Sequence, residues 1–184
     1  MVVPRRLIAG EQPPNASFAT LRGESVALAG LRGRPLWLSF SRFAACPLCN
    51  FRVHQVTGQW ERRFAGTELR HFMFFQSPRA KLEEFIVTHA PPFELVADPE
   101  MHHYRAFAVE TSLRKMFALE AVRVAGAAVA AGTVVAAGPD GPITRIPADF
   151  LIGRDGRVRL AHYGETIVDH VDLDEVERFV AAES

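Results

Sequence analysis

The hydrophobic residues of this chain follow two different spacings, and each spacing predicts a different kind of element. The apolar runs at Leu36–Phe40 and at 71–75 are short and continuous, which is typical of buried strands. Between them, apolar side chains recur every three or four positions over 49–64, which predicts an amphipathic helix. Glu94–Ala97 is a further segment that we expect to form a strand. The order of these elements predicts a βαβ unit.

The last third of the chain has a different pattern. Two apolar segments within 149–164 flank Asp155 and Gly156, and an Asp-Gly pair in that position is a strong hairpin signal. Asp172, with Glu175 three residues later, is typical of a helix start, and the apolar stripe that follows makes the last helix amphipathic. A βαβ unit followed by two strands and a helix predicts an α/β fold with a mixed central sheet and helices on both faces.

We expect residues 1–184 to form one domain, because no internal repeat or boundary interrupts the pattern. Residues 1–14 are interpreted as an N-terminal arm, followed by a short hairpin made of 17–21 and 25–28. Ser77 followed by Pro78 predicts the start of the second helix, with Ser77 as its N-cap.

Residues 98–141 show a broken helical pattern and are interpreted as a helical insertion. Its apolar residues would either pack on the chain's own core, which we favour, or form the surface of a homodimer. The uncharged run at 124–138 is shorter than the roughly 20 residues that a membrane-spanning helix needs, so we expect a packed helix there. The large apolar residues of the insertion are Phe107, Leu113, Met116, Phe117 and Leu119.

Charge and composition narrow the classes of partner. The chain has 21 Lys and Arg residues and 21 Asp and Glu residues, so its net charge is zero. Without a basic surface, we expect no nucleic-acid partner and no membrane partner. The N-terminus lacks an apolar run long enough for a signal peptide, so a cytoplasmic location is expected. In that compartment a close cysteine pair indicates redox chemistry or metal binding more often than a structural disulfide.

The chain has two cysteines, which stand three residues apart where the strand at Leu36–Phe40 turns into the first helix. Pro47 suits the first helical position, which puts Cys46 at or beside the N-cap. The free N–H groups and the positive end of the helix dipole at that point favour thiolate over thiol. Cys49 lies one turn further along, close enough to attack a mixed disulfide on Cys46. The pattern predicts an exposed attacking Cys46 and a sheltered resolving Cys49.

Two other interpretations of the cysteine pair stay open. A C-x-x-C motif is half of many zinc sites, and His102, His103 or His162 would then supply a third ligand to copper or zinc. The cysteines could also be inert core residues. The chain has no second C-x-x-C, and a C-x-x-C between a strand and a helix favours redox chemistry.

Pro147 is a second candidate feature, because it directly precedes the apolar strand residues at 150–152. A proline in this position is either an ordinary strand entry or a cis proline. A cis proline would place its loop beside the cysteines and would present backbone groups to an extended substrate.

Three segments resemble a known family. Residues 36–50, LWLSFSRFAACPLCN, resemble the strand–C-x-x-C–helix start of thioredoxin-fold proteins. Residues 145–165, RIPADFLIGRDGRVRLAHYGE, resemble the cis-proline strand and hairpin of the same superfamily. Residues 95–117 are similar to a segment of the peroxiredoxin-like proteins related to alkyl hydroperoxide reductase and thiol-specific antioxidant proteins. The resemblance implies a thioredoxin-like fold, and it matches Cys46 and Cys49 to the redox cysteines and Pro147 to the cis proline.

The chain departs from the family pattern at three points. Phe40 occupies the position, six residues before Cys46, where many thioredoxins have a buried acid that accepts a proton from the second cysteine. Gly153 replaces the usual Asp of F-L-I-D. The peroxiredoxin motif P-x-x-x-[TS]-x-x-C fails when it is read back from Cys46. Read back from Cys49, it places Cys46 at the Thr position and Arg42 at the Pro position, and the two cysteines would exchange roles.

Peroxidatic sites also use an arginine to stabilise the thiolate and polarise the peroxide. Arg42, Arg52 and Arg145 are the candidates for this role, although a solvated surface position is the commoner fate of an arginine.

Together these features predict a thiol–disulfide oxidoreductase of peroxiredoxin-like type that cycles Cys46 and Cys49 between dithiol and disulfide. A thioredoxin-type reductant would restore the dithiol, the substrate would be a disulfide or a hydroperoxide, and no metal or organic cofactor is expected. The alternatives are a thiol-dependent peroxidase and a copper- or zinc-binding protein on the same fold.

Overall fold

The computed structural model describes residues 5–112, 119–132 and 138–184. A short antiparallel hairpin, β1 (Ser17–Ala19) and β2 (Ser25–Ala27), precedes a five-stranded sheet. The strands of the sheet are β3 (Leu36–Phe40), β4 (Arg70–Phe75), β5 (Glu94–Ala97), β6 (Ala148–Ile152) and β7 (Val158–Tyr163), and they lie in the order β5-β4-β3-β6-β7. The N-terminal hairpin and the mixed central sheet that the sequence predicts are both confirmed.

Strand β3 lies at the centre of this sheet. It runs parallel to β4 and antiparallel to β6, and all five of its residues are buried because both faces of the sheet are covered. In this register Ser39 stands opposite Met73 on β4 and opposite Asp149 on β6. Two residues that are 110 positions apart in the sequence are thereby neighbours in the sheet.

The helices are α1 (Pro47–Phe64), α2 (Arg79–Phe85), α3 (His102–Ala106), α4 (Leu119–Ala130) and α5 (Leu173–Ala182). Helices α1, α2 and α5 pack on one face of the sheet, together with both cysteines. We call this the dithiol face, and its strand residues include Trp37, Met73 and Leu151.

The opposite face of the sheet is covered by the β1–β2 hairpin and by α3. We call it the aromatic face, because its strand residues include Phe40, Phe72, Phe74 and Phe150. Neighbouring residues of one strand therefore belong to different cores, as the alternation of side chains along a strand requires. This arrangement confirms the prediction that helices lie on both faces.

The insertion expected at 98–141 contains α3 and α4. Helix α4 packs against α1. It includes the first part of the uncharged run at 124–138, for which the sequence predicts a packed helix. Phe107 is 1% exposed in the core of the aromatic face, so this residue packs on its own chain and not on a second copy. Leu113, Met116 and Phe117 lie outside the described residues. No helix in the described ranges is long and apolar enough to cross a membrane.

The start of α2 differs from the prediction by one residue. Pro78 is the N-cap, and Ser77 lies outside the helix. The Ser77 hydroxyl instead accepts a hydrogen bond of 2.7 Å from the backbone N–H of Ala44. Ser77 therefore ties the end of β4 to the loop that carries Cys46.

Candidate active site

The two cysteines lie at the junction of β3 and α1, as the sequence predicts. Cys46 is the N-cap residue, with extended backbone angles of φ −75° and ψ 118°, and Pro47 is the first residue of α1. Cys49 lies one turn along the helix and belongs to the core of the dithiol face. Proline starts the helix without loss because the first N–H of a helix has no partner within it.

The surroundings of Cys46 favour its thiolate. A hydrogen bond from the Cys49 side chain is the largest influence on Cys46, and it lowers the pKa of this thiol to about 7 although burial acts in the opposite direction. The positive charge of Arg42 and the backbone N–H groups of Cys49 and Leu48 lower the pKa further. Near neutral pH a large fraction of Cys46 is therefore a nucleophilic thiolate.

The surroundings of Cys49 have the opposite effect. Burial is the largest influence and raises the pKa of Cys49 well above its usual value, and the neighbouring Cys46 sulfur raises it again. Arg42 lowers this pKa, but by less than the other two effects raise it. Cys49 therefore keeps its proton near neutral pH. The attacking and resolving roles of the two cysteines stay a prediction.

The predicted exposure of Cys46 is wrong. Its exposed fraction is 1%, and that of Cys49 is 3%. The helix dipole acts on the charge of Cys46, whereas other side chains decide whether the N-terminus of the helix is covered. The side chains of Phe43 and Arg42 are themselves buried beside the cysteine loop, which shields Cys46 from solvent.

Arg42 is the candidate arginine that contacts a cysteine. Its Nη1 atom donates a hydrogen bond of 3.5 Å to the sulfur of Cys46, and Nη2 donates one of 2.6 Å to the carbonyl of Ile143. The guanidinium thus joins Cys46 to the chain that follows the insertion. The contact with Ile143 fixes the orientation of a cation that stabilises the Cys46 thiolate.

Asn50 is a buried residue of the site that the sequence did not single out. Its Nδ2 atom donates to the carbonyls of Ala44 and Cys46 at 2.6 and 2.9 Å. Its Oδ1 atom is 2.9 Å from Nε2 of His89. These bonds hold the loop before α1 against the first turn of the helix.

The other two candidate arginines do not contact a cysteine. Arg52, on α1, donates to the carbonyl of Val171 at 2.7 Å. Arg145 lies elsewhere, with Nη1 2.8 Å from the carbonyl of Val109 and the guanidinium over the ring of Tyr104. Arg145 is therefore a buried structural cation beside α3.

The expectation of a cis bond before Pro147 is not met, because none of the described residues has a cis peptide bond. A trans bond is the ordinary preference of X–Pro sequences. The carbonyl of Pro147 accepts a hydrogen bond of 3.0 Å from Gly164. Pro147 thus leads into β6 as an ordinary strand entry.

A buried carboxylate on the dithiol face is the main feature that the sequence analysis missed. Asp149 is completely buried and accepts four hydrogen bonds. Burial opposes its ionisation, but the His170 ring and the other donors outweigh that effect and hold the pKa of Asp149 well below its usual range. The donors are Trp37 Nε1 at 2.9 Å, Ser39 Oγ at 2.6 Å, His170 Nδ1 at 2.9 Å and the backbone N–H of Val171 at 3.1 Å.

The network continues to His71 on β4. The Ser39 hydroxyl gives its one proton to Asp149, so it accepts a hydrogen bond from Nε2–H of His71 at 2.9 Å. Burial lowers the pKa of His71 well below its usual value, and the ring stacks on Trp37 with 3.8 Å between centroids. His71 is therefore a neutral ring held between polar and aromatic partners.

Two departures from the family pattern now have a structural explanation. Phe40 belongs to the aromatic face, so a carboxylate at this position would lie on the side of the sheet away from Cys49. Asp149, on the neighbouring strand, supplies a buried carboxylate on the cysteine side. A Cβ atom at Gly153 would come within 2.6 Å of the side chains of Arg159 and Glu183. A signal for Asp149 was present in the sequence, since an acid within an apolar strand is buried only when it is paired.

A cavity of about 80 Å³ lies beside Cys49. This volume is large enough for water, and several of the side chains that line it are polar. Val124 of α4 is one of the residues that line the cavity, so the insertion contributes to the site. The lining includes Cys49, Arg42, Arg52, Gln55, Val124 and His170.

The proposed histidine ligands are not brought to the cysteines. His103 contacts Phe18 and Phe74 on the aromatic face. His162 lies 3.0 Å from Asp169 through its Nε2 atom. Within the part of the chain that the structure describes, no group of three or more His, Cys, Asp or Glu residues is placed to hold a metal ion.

Solved structures share this fold at low sequence identity. A peroxiredoxin-like protein from Aquifex aeolicus matches with a TM-score of 0.70 and 13% identity, over 99% of this chain and 91% of that one. Peroxiredoxin Q from Xanthomonas campestris, in a mutant form with one cysteine replaced by serine, matches with a TM-score of 0.67 and 16% identity, over 96% and 99%.

A protein from Chlorobium tepidum, described as a candidate thiol:disulfide interchange protein DsbE, matches with a TM-score of 0.64 and 17% identity, over 96% and 98% of the two chains. No curated protein is similar enough in sequence to match. The likeness to these structures shows a thioredoxin-like α/β fold of the peroxiredoxin type, as the sequence resemblance implies. The sequence profile described as "AhpC/TSA family" matches residues 9–161, and the chain therefore belongs to the AhpC/TSA family.

Proposed function

We propose that this chain is a thiol-dependent peroxidase that reduces small hydroperoxides with the Cys46–Cys49 pair. The observation that carries the proposal is the Cys46 sulfur itself. It is buried, it lies 3.5 Å from the Arg42 guanidinium, and its pKa is lowered to about 7, chiefly by the hydrogen bond from Cys49. Such a thiolate is activated for attack but sheltered from large substrates.

Burial of the dithiol favours a small oxidant over a protein disulfide. Thiol–disulfide exchange needs the attacking sulfur to approach a substrate sulfur in line with the S–S bond. A sulfur that is 1% exposed cannot meet a folded or extended chain without movement of its cover. A hydroperoxide places only two oxygen atoms at the sulfur, and a small movement admits it.

The oxidation of Cys46 is the first chemical step. The Cys46 thiolate forms an S–O bond as the O–O bond of the hydroperoxide breaks, and Cys46 becomes a sulfenic acid. The leaving oxygen takes a proton and departs as water or alcohol. The Arg42 guanidinium stands beside the reacting sulfur, where it stabilises the thiolate and the negative charge that develops on the leaving oxygen.

The second step forms the disulfide. Cys49 loses its proton and attacks the sulfenic sulfur, so that an S–S bond forms, the S–O bond breaks and hydroxide leaves as water after taking a proton. A dithiol reductant of the thioredoxin type then restores both thiols by exchange. The reductant reacts with the oxidised protein, which contains the 46–49 disulfide. The burial of Cys46 in the reduced protein is therefore no argument against a protein reductant.

A disulfide oxidoreductase is the second candidate, and one specific observation favours it. Cys49 lies one helical turn from Cys46, and its thiol is the largest influence on the pKa of Cys46, so a resolving thiol is placed to close a mixed disulfide. The match to the protein described as DsbE shares the fold and is compatible with this candidate. In this case a disulfide, and not a hydroperoxide, would oxidise Cys46.

Stopped-flow oxidation by hydrogen peroxide, followed by mass spectrometry, tests the proposal on the wild type, Cys46→Ser and Cys49→Ser. The wild type and Cys49→Ser should react rapidly, and Cys49→Ser should stop at a sulfenic acid that dimedone traps. Cys46→Ser should react slower on the order of 10³-fold or more, because the activated nucleophile is absent.

Other outcomes assign the function differently. If Cys46→Ser reacts rapidly and Cys49→Ser slowly, Cys49 is the peroxidatic residue and the assignment is wrong. Slow reaction of all three proteins with peroxide, together with rapid closure of the 46–49 disulfide by a small disulfide oxidant, would favour the second candidate. The absence of a 46–49 disulfide with either oxidant would overturn both.

A further inference from the structure

The Cys49 proton has no obvious acceptor among the residues that activate Cys46. Burial raises the pKa of Cys49 well above its usual value, so the thiol does not ionise by itself near neutral pH. The second step of the proposed cycle nevertheless needs the Cys49 thiolate. An acceptor for this proton must therefore lie within reach of Cys49, directly or through water.

His170 lines the same cavity as Cys49. The volume of this cavity, about 80 Å³, is large enough to hold water. Its Nδ1 atom is 2.9 Å from the Asp149 carboxylate, which only accepts, so Nδ1 carries a proton and Nε2 is the basic nitrogen. Within the described ranges of the chain, Nε2 of His170 has no hydrogen-bond partner.

We propose that His170, oriented by Asp149, accepts the proton of Cys49 through a water molecule in this cavity when the 46–49 disulfide forms. The inference rests on the proposed function, because it concerns the second step of that cycle. His170 acts as a proton relay, and Asp149 acts as a positioning residue that fixes the ring and stabilises the imidazolium.

The proton count of the step closes without any further reactant. Cys49 gives its proton to Nε2 of His170, and its sulfur forms the S–S bond as the S–O bond of Cys46 sulfenic acid breaks. The hydroxide that leaves takes the proton from the imidazolium and becomes water. His170 is then neutral again and ready for the next cycle.

Charged and titratable groups lie near His170 on several elements. Arg52 faces it from α1, Asp149 from β6 and His71 from β4. Arg63, Asp172 and Asp174 line a surface cleft together with His170.

The test separates the two steps by stopped-flow oxidation with hydrogen peroxide. His170→Asn keeps a donor for Asp149 at the Nδ1 position but has no basic nitrogen at the Nε2 position, and His170→Gln is the second variant. Both should form the Cys46 sulfenic acid within about twofold of the wild-type rate. Both should close the disulfide about 10²-fold more slowly at neutral pH, which is the usual contribution of a general base.

The pH profile distinguishes a proton relay from a purely structural role. Without the relay, closure depends on direct ionisation of Cys49, so the rate in His170→Asn should rise about tenfold per pH unit through the neutral range. The wild type should reach a plateau that the variant lacks, and added imidazole should accelerate closure in His170→Ala.

His162→Asn is the matched control. His162 forms a comparable pair with Asp169 at 3.0 Å, but it is not among the residues that line the cavity. Its substitution should leave both steps unchanged. Disulfide closure at the wild-type rate in His170→Asn and His170→Gln would overturn the inference.

Failure of the peroxidase proposal can be distinguished from failure of the His170 relay. If the wild type itself reacts slowly with peroxide, the peroxidase proposal fails, and closure can be followed after Cys46 reacts with an aromatic disulfide. A slow second phase in His170→Asn would then still support the relay, and an unchanged second phase would overturn it.

Discussion

The two faces of the central sheet are built from the same strands but differ in chemistry. On the aromatic face Phe40 packs on both Phe74 and Phe150, with ring centroids 4.7 Å and 5.7 Å apart. On the dithiol face, a buried carboxylate, Asp149, accepts four hydrogen bonds.

The two faces therefore contribute differently to stability and to the proposed function. An apolar core needs no partner geometry beyond close packing, whereas a buried carboxylate is costly unless every lone pair has a donor. The aromatic face thus stabilises the fold mainly by close packing of aromatic and aliphatic side chains. The dithiol face accepts the cost of buried polar groups on the side of the sheet where the proposed redox chemistry occurs.

The largest expected effect comes from a pair of neighbouring residues on β6. Asp149→Ala and Phe150→Ala each remove a completely buried side chain, one from each face. Each should lower the free energy of unfolding by about 3–5 kcal/mol, the first by leaving buried donors unpaired and the second by creating a cavity. Urea denaturation at several pH values measures both.

Acid should distinguish the two variants of this pair. Because the fold lowers the pKa of Asp149, its stabilisation is present above the unfolded value of about 3.9 and is lost as the pH falls below it. The cost of Asp149→Ala should therefore shrink below about pH 4, whereas the cost of Phe150→Ala should stay constant. An equal pH dependence would contradict the difference between the faces.

A smaller effect is expected from Asn50→Ala on the dithiol face. The substitution removes the donor to the carbonyls of Ala44 and Cys46, which lie in a buried loop. The free energy of unfolding should fall by about 1–3 kcal/mol. Because the loop would loosen, alkylation of Cys46 should also change, which mass spectrometry after a pulse of iodoacetamide can measure. Unchanged stability would mean that water satisfies both carbonyls.

The smallest expected effect concerns the cation beside the thiolate. Arg42→Gln should raise the pKa of Cys46 above about 7, since the guanidinium is one of the groups that lower it. At pH 7 the rate of Cys46 alkylation in a Cys49→Ser background should fall by up to about tenfold, which corresponds to one pKa unit. The rate should recover as the pH rises.

Arg145→Gln is the matched control for this substitution. Arg145 is also a buried arginine, but it contacts Tyr104 and Val109 and no cysteine. Its substitution should leave the pH profile of Cys46 unchanged. A similar shift in both variants would show that the buried arginines act through general stability and not through the thiolate.

The sequence by itself determined the local features of this protein. Leu36–Phe40 forms a strand because it is a short apolar run, and the hairpin after β6 forms around Asp155 and Gly156, as predicted. Pro47 begins α1 and leaves Cys46 at its N-cap, so the position of Cys46 at the start of the helix and of Cys49 one turn along it also follows from the local sequence. These features depend on residues within a few positions of one another.

Only the tertiary structure decided what surrounds the cysteines. The pairing of β3 with β6 placed Asp149 opposite Ser39 across 110 positions, and the chain before α5 added His170. The burial of Cys46 and the contact of Arg42 with Ile143 depend in the same way on segments far apart in sequence. Periodicity assigns a residue to a face of one element, but sheet register and loop packing decide which residues from other elements meet it there.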